Sequence, residues 1–341
     1  MNVYTTDKIR NVVLLGHGGC GKTSLVEAMA YLAGVTSRMG KVADGNTISD
    51  YGKEEQKRQI SITTSVVPIE WEGVKINLLD TPGFFDFVGE VEEAVSAADA
   101  AIIVVSGKAG VEVGTEKAWE LCEKYKLPRF IFVTDMDIDN ASFRQVVEDM
   151  TEKYGKKLAP FHLPVREDEK FVGYINVITE QAYRWKDKEV IECEMPEYSK
   201  PNLQICRDAL MEAVAETSEE FMERYFNGEA FSEAEIRASL RNNVMEGSIV
   251  PMSMGSSLLC QGIYTLLDDI VKYMPSPENR EMAGINLKTN EIFAANFDFS
   301  KPKSAYIFKT IVDPFIGKYS LIKVCSGVFK SDDLIFNEEK D

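Results

Sequence analysis

The densest chemistry in the chain lies in eight residues, Gly16-His17-Gly18-Gly19-Cys20-Gly21-Lys22-Thr23. The pattern G-x-x-x-x-G-K-T is that of a loop whose backbone N–H groups turn inward around a phosphate. Lys22 can reach the β- and γ-phosphates, and the Thr23 hydroxyl can hold Mg²⁺. Ser24 opens a helix whose positive end favours an anion. A second group is Asp80-Thr81-Pro82-Gly83. The Asp80 carboxylate can hold Mg²⁺ through water, and the Gly83 N–H can face a γ-phosphate, so Lys22 and Gly83 are the candidates for the reacting end. In Arg58-Gln59-Ile60-Ser61-Ile62, Ser61 is the hydroxyl able to complete the metal shell, the plainer alternative being a strand-edge hydroxyl. A third group is Thr134-Asp135-Met136-Asp137. A carboxylate there can accept from guanine N1–H and the 2-amino group, whereas adenine would leave it unpaired. Ser256-Ser257 can supply a backbone N–H to guanine O6.

These groups need a scaffold that brings strand ends together. Val12–Leu15 reads as a buried strand entering the glycine loop, with a helix after it from Ser24 to Tyr31. Arg38 to Gln59 is polar and poor in periodicity, the place for a ligand-ordered loop. Ser65–Trp71 and Val74–Leu79 are β-rich runs parted by Glu72-Gly73, a hairpin signal. Helices at Glu90–Ala98, Thr115–Tyr125 and Ala141–Tyr154 then alternate with strands at Ala100–Val105 and Arg129–Thr134. This alternation predicts an α/β domain on a mostly parallel sheet. Ile249–Met254 and a helix to Tyr273 resume the rhythm as a sixth strand and last helix.

Between them the rhythm breaks. Short strands (Phe171–Ile178, Ala182–Trp185, Val190–Cys193) precede helices near Asn202–Glu216, Ser218–Tyr225 and Ser232–Met245, the last opened by a capping box. From Glu148 to Glu246 there are 22 acidic and 13 basic residues, about half of the chain's net charge of −17. The expected organisation is a phosphate-binding domain at 1–157 and 247–280, an inserted acidic α+β subdomain at 158–246, and the start of an antiparallel β-barrel at 281–341. Pro275-Ser276-Pro277 marks the boundary, and turn residues at Asp313-Pro314 and Gly317 divide the last strands. These strands are too few to close a barrel, so the sequence is expected to stop part-way through that domain.

Composition narrows the function further. With 45% hydrophobic and 27% charged residues, the chain reads as a globular protein without a ~20-residue apolar span. Met1 to Arg10 lacks a signal-peptide layout, so a cytoplasmic address is expected. The acidic balance argues against DNA and against nonspecific adhesion to naked nucleic acid, but leaves open a local basic patch or an RNA-rich partner reached partly through protein. A monomer is expected. The six cysteines form no C-x-x-C pair, and the two histidines, His17 and His162, leave few places for imidazole chemistry. Cys20 sits beside a helix N-terminus that could lower its pKa, although a plain small residue is the simpler reading.

The chain resembles the N-terminal part of the elongation factor G family over essentially all of its 341 residues. The family's GHxxxGKT, RGITI, DTPGHVDF, NKMD and GSA blocks stand here as GHGGCGKT, RQISI, DTPGFFDF, TDMD and GSS. LPVREDEKFVGYINV through ETSEEFMERYFNGEAFSEAEI resembles the family's extra subdomain, and KTIVDPFIGKYSLIKVCSGVF the opening of its second, barrel domain. The resemblance implies a translational GTPase using GTP, GDP and Mg²⁺. Its implied partner is the ribosome, through rRNA and the stalk protein.

Departures from the family pattern fall on the chemistry. Thr134 and Asp135 replace an asparagine and a lysine, Gly19 replaces a cation-binding aspartate, and Ser61 replaces a threonine. Phe84 stands where the family's water-positioning histidine belongs, as in the elongation factor G-like side branch, and a phenyl ring cannot hold a water. Three readings follow: a GTP-dependent translation factor with weak hydrolysis, a GTP-binding ribosome-binding module without hydrolysis, and, from the altered TDMD alone, an ATP-using P-loop enzyme.

Overall fold

The computed structural model describes residues 3–168, 170–186, 189–313 and 317–336. A seven-stranded sheet forms its centre. The strands are β1 (Ile9–Leu15), β2 (Ser65–Trp71), β3 (Val74–Asp80), β4 (Ala100–Ser106), β5 (Arg129–Thr134), β6 (Leu158–Pro160) and β11 (Val250–Met254), in the order β2-β3-β1-β4-β5-β11-β6. All neighbours are parallel except the β2–β3 hairpin at one edge. The runs Val12–Leu15, Ile102–Val105 and Phe130–Val133 are almost fully buried. Such unbroken apolar runs suit strands covered on both faces. In β2, Val67 and Ile69 are buried while Pro68 and Glu70 are not. Pro68 is tolerated because β2 lies at the sheet edge.

Helices α1 (Lys22–Leu32) and α9 (Ile263–Tyr273) pack together beside β2, while α3 (Val88–Ala97) and α4 (Val113–Lys124) pack on β1. Helix α5 (Phe143–Tyr154) packs on β6, its N-cap Ser142 accepting from the Gln145 N–H. Strand β6 is one more than periodicity shows, because three residues are too few to display a period. The stretch expected as an irregular loop, 38–59, contains α2 (Lys53–Arg58). Its six residues are mostly charged, and the cause of the helix lies in tertiary contacts described below.

The acidic stretch folds as a second sheet, β7 (His162–Glu167), β8 (Lys170–Asn176), β9 (Gln181–Lys186) and β10 (Glu189–Cys193), all antiparallel. Helices α6 (Lys200–Ala215), α7 (Glu219–Phe226) and α8 (Glu233–Glu246) accompany it. The capping box is formed: Ser232 Oγ accepts from the Glu235 N–H, and Glu235 accepts from the Ser232 N–H. The last described residues make two hairpins, β12 (Ala283–Asn286) with β13 (Glu291–Ala294), and β14 (Ser304–Asp313) with β15 (Gly317–Ser326). Pro314, in the turn expected there, lies outside the described residues. No helix among the described residues is long and apolar enough to cross a membrane.

Candidate nucleotide site

All candidate residues except Ser61 lie on or just beyond the carboxyl ends of sheet strands or at the start of α1, where ligands bind in open α/β sheets. The first loop leaves β1 at Gly16, whose φ is +139° and whose Cβ would lie 2.4 Å from the Val104 carbonyl oxygen. Only glycine passes there. Gly21 is the N-cap of α1 and has no capping side chain, so the first-turn N–H groups are left to a ligand. The ammonium of Lys22 donates to Gly16 O (2.9 Å) and His17 O (2.8 Å), which holds it at the loop mouth. The His17 imidazole points elsewhere: Nδ1 accepts from the Gly114 N–H (3.2 Å), and Nε2 lies 3.5 Å from Glu112. Burial pushes the Cys20 thiol up rather than down, which makes the small-residue reading the better one.

A cleft of about 330 Å³ opens beside this loop, lined in part by Gly18, Gly19, Lys22, Thr23, Ser24, Ser61, Gly83 and Phe84. Across it, Thr23 Oγ1 and Ser61 Oγ meet at 3.0 Å, although 38 residues separate them. Ser49 donates to Asp80 Oδ2 (2.7 Å), while among the described residues no group stands in hydrogen-bonding geometry to the buried Asp80 Oδ1. Burial pushes the Asp80 carboxyl up, with the Ser49 and Thr23 hydroxyls and Lys22 opposing. Two hydroxyls and an unsatisfied carboxylate oxygen suit Mg²⁺, a hard cation that takes oxygen ligands and keeps several waters. The residues present therefore fit the ion.

Asp50 lines the same cleft and was not a sequence candidate. Burial raises its carboxyl to about 6, against a hydrogen bond from Ser61. Glu27 fastens the loop from below, accepting from the Gly40 and Ile48 N–H groups at 2.7 Å each. In the sequence these carboxylates look like any solvated charge, and their burial is the only distinguishing signal.

The base-reading candidates form a separate cluster that does not line the cleft. Thr134 Oγ1 donates to Cys20 O (2.8 Å), tying the end of β5 to the phosphate loop. Asp135 adopts a left-handed φ of 62° and accepts from Ser106 Oγ (2.6 Å). Asp137 is exposed. The Met136 N–H reaches Gly255 O (3.3 Å), which joins this loop to the Ser256-Ser257 loop. The Ser256 N–H is spent on Gln261 O (2.9 Å), so of the two serines Ser257 is the better placed to supply a backbone donor. Arg166, from β7 of the acidic stretch, donates to Ala141 O (2.8 Å) and steadies the Asp137 loop from outside.

Strand, phosphate loop, helix and Asp-Thr-Pro-Gly turn make this a P-loop nucleotide fold, and comparison with known proteins names the kind. The model of the elongation factor Tu GTP binding domain family matches residues 7–276. The chain belongs to this family. Within it the likeness is to elongation factor G. The chain is 35% identical to elongation factor G of Chlamydia trachomatis serovar D over 349 residues, covering 99% of this chain and 50% of the relative. The same figures hold for elongation factor G of Chlamydia trachomatis serovar A. A crystal structure from Thermus thermophilus matches with a TM-score of 0.83 at 35% identity, over 94% of this chain and 46% of that one. The chain thus spans about half the length of the curated relatives it matches. Membership of an elongation-factor GTP-binding family implies a guanine nucleotide as the ligand.

Proposed function

We propose that this chain binds GTP and GDP with Mg²⁺ and acts on the ribosome as a translation factor of the elongation factor G type, with slow hydrolysis. The observation that carries the reading is the meeting of Thr23 and Ser61 hydroxyls at 3.0 Å, beside the unsatisfied Asp80 oxygen. When bound, Mg²⁺ neutralises phosphate charge. The protein's part is to supply Thr23, Ser61 and, through water, Asp80 as its ligands. The N–H groups from Gly16 to Thr23, with Ser24 behind them, cradle the phosphates, and Lys22 leaves its loop carbonyls for the terminal ones. Asp137 reads the guanine edge, with Ser257 at O6. The same reading divides the chain into a nucleotide domain (1–157 and 247–280), an acidic insertion (158–246) and the start of a barrel (281–341), and gives it a cytoplasmic address.

Titration calorimetry tests the nucleotide. GTP and GDP are expected to bind at least tenfold more tightly than ATP, about 1.4 kcal/mol for a carboxylate left unpaired by the wrong base. Lys22→Ala is expected to abolish binding. Equal affinities for GTP and ATP would remove the guanine assignment.

A second reading, nucleotide and ribosome binding without turnover, is favoured by one observation, the phenyl ring of Phe84 in the cleft wall. Ribosome-stimulated phosphate release separates the two. The acidic insertion is the proposed docking surface for the ribosomal stalk protein, its charge steering the encounter in a salt-sensitive way. Ribosome association unchanged after deletion of 162–245, which leaves β6 on the central sheet, with the remainder folded, would remove that surface from the proposal.

A further inference from the structure

Helix α2 buries a single residue, and that residue is a carboxylate. Glu55 is 3% exposed, whereas Lys53, Glu54, Gln56, Lys57 and Arg58 on the same helix are exposed. Its partners among the described residues are all N–H and O–H groups of its own loop. Oε1 accepts from the Ile62 N–H (3.0 Å), the Thr63 N–H (3.0 Å) and Thr63 Oγ1 (3.3 Å), and Oε2 accepts from the Gly52 N–H (2.9 Å). Gly52 comes so near that a Cβ there would lie 2.6 Å from Oε2. The chain from 52 to 63 is therefore folded into a ring about one side chain. The residue immediately before the Ile62 donor is Ser61, and the ring's closure brings its hydroxyl to Thr23.

An ionised carboxylate is acceptor-only and can take four such donors at once, which no other side chain of this length does. The six-residue α2 has too few turns to persist by itself. The loop thus holds its shape through Glu55. This assigns Glu55 a role that its position in a charged run hides.

We propose that Glu55 is the positioning residue that makes cation binding and closure of the 52–63 loop one event. It sets Ser61 over Thr23, and a cation held by the two hydroxyls in turn stabilises the ring. The proposal rests on the reading of this cleft as a Mg²⁺–nucleotide site. It differs from a merely structural role in one respect: the contribution of Glu55 passes through Ser61.

The test is release of a fluorescent GDP analogue from the whole chain as a function of Mg²⁺. Wild type, Glu55→Gln, Ser61→Ala and the double variant are compared. Glutamine offers one acceptor oxygen and an amide that only donates, so some of the four donors lose their partner. In excess chelator, Glu55→Gln is expected to release nucleotide within twofold of wild type, which also shows that the fold and phosphate loop are intact. The Mg²⁺ concentration that half-maximally slows release is expected to rise about tenfold. The double variant should then be no worse than Ser61→Ala alone, because both changes remove the same hydroxyl from the cation. A half-point within twofold of wild type, or multiplying effects in the double variant, overturns the proposal. Wild type that retains no labelled nucleotide at any Mg²⁺ concentration overturns the nucleotide reading, and the proposal with it.

Discussion

The ring of Phe84 lies directly over the α-carbon of Gly18: a methyl group added there would sit 3.1, 3.2 and 3.3 Å from three ring carbons. These contacts are tighter than ordinary van der Waals packing, so the aromatic ring and the missing side chain belong together. Gly83 stands in similar contact, its Cβ position 2.6 Å from Gly18 and from the Lys22 ammonium. The loop after β3 is therefore seated on the phosphate loop, with a phenyl ring at the reacting end of the cleft.

Under the proposed GTPase function the consequence is kinetic. A ring without a hydrogen-bonding atom cannot hold a water in line with the γ-phosphate, while Lys22, Thr23 and Ser61 keep their contacts. Loss of a positioned polar group costs on the order of 10²–10⁴ in rate. Phe84→His is expected to raise single-turnover phosphate release at least tenfold in the presence of ribosomes, with nucleotide affinity unchanged. A fast wild type that the substitution slows would mean that another group positions the water.

Glu90 joins three parts of the molecule. Its carboxylate accepts from the Thr64 N–H (2.7 Å), three residues after Ser61, and pairs with Lys309 of β14, while its carbonyl accepts from Thr64 Oγ1 (2.8 Å). Lys309 is 6% exposed, so the pair is shielded from salt more than a surface pair is. Glu90→Gln is expected to increase hydrogen exchange in both 62–66 and 304–313, and Lys309→Met to do the same. Exchange that rises in one segment only would show that the two are not linked through this side chain.

Asp50 gives a pH dependence with a defined sign. Burial raises its carboxyl from 3.8 to about 6, so the folded state keeps a proton that the unfolded state loses. Its contribution to stability is full below about 3.8 and is lost as pH rises through about 6. Without divalent cation, Asp50→Asn is expected to melt at a higher temperature than wild type above pH 6, the gap shrinking towards pH 4. With Mg²⁺ and GDP, which give the anion a partner, the gap should close or reverse. Parallel melts at every pH would show that Asp50 is not held out of water.

Arg166 supports the base-reading loop from the inserted sheet, by its bond to Ala141 O. Arg166→Ala is expected to weaken GDP binding several-fold while leaving pyrophosphate binding unchanged, because only the Asp137 side of the site loses its brace. Equal losses for both ligands would place the effect in the phosphate loop or in the fold as a whole.

Much of the scaffold was legible in the residues. Unbroken apolar runs such as Val12–Leu15 and Phe130–Val133 specify buried parallel strands, and Gly16 to Thr23 specifies the loop between strand and helix, because these are local consequences of side-chain size, backbone freedom and burial. Ser232 and Glu235 likewise announce their helix start. What depended on distance in sequence was not legible. Nothing local shows that Ser49 caps Asp80, or that Glu55 alone in a charged helix turns inward. A carboxylate reads the same in sequence whether water or four N–H and O–H donors satisfy it. The identity of the phosphate loop was therefore written in the chain. The shape of the segment that closes over it, and the seating of Phe84 on Gly18, were decided only when tertiary packing chose which polar groups would be taken out of water and which partners would receive them.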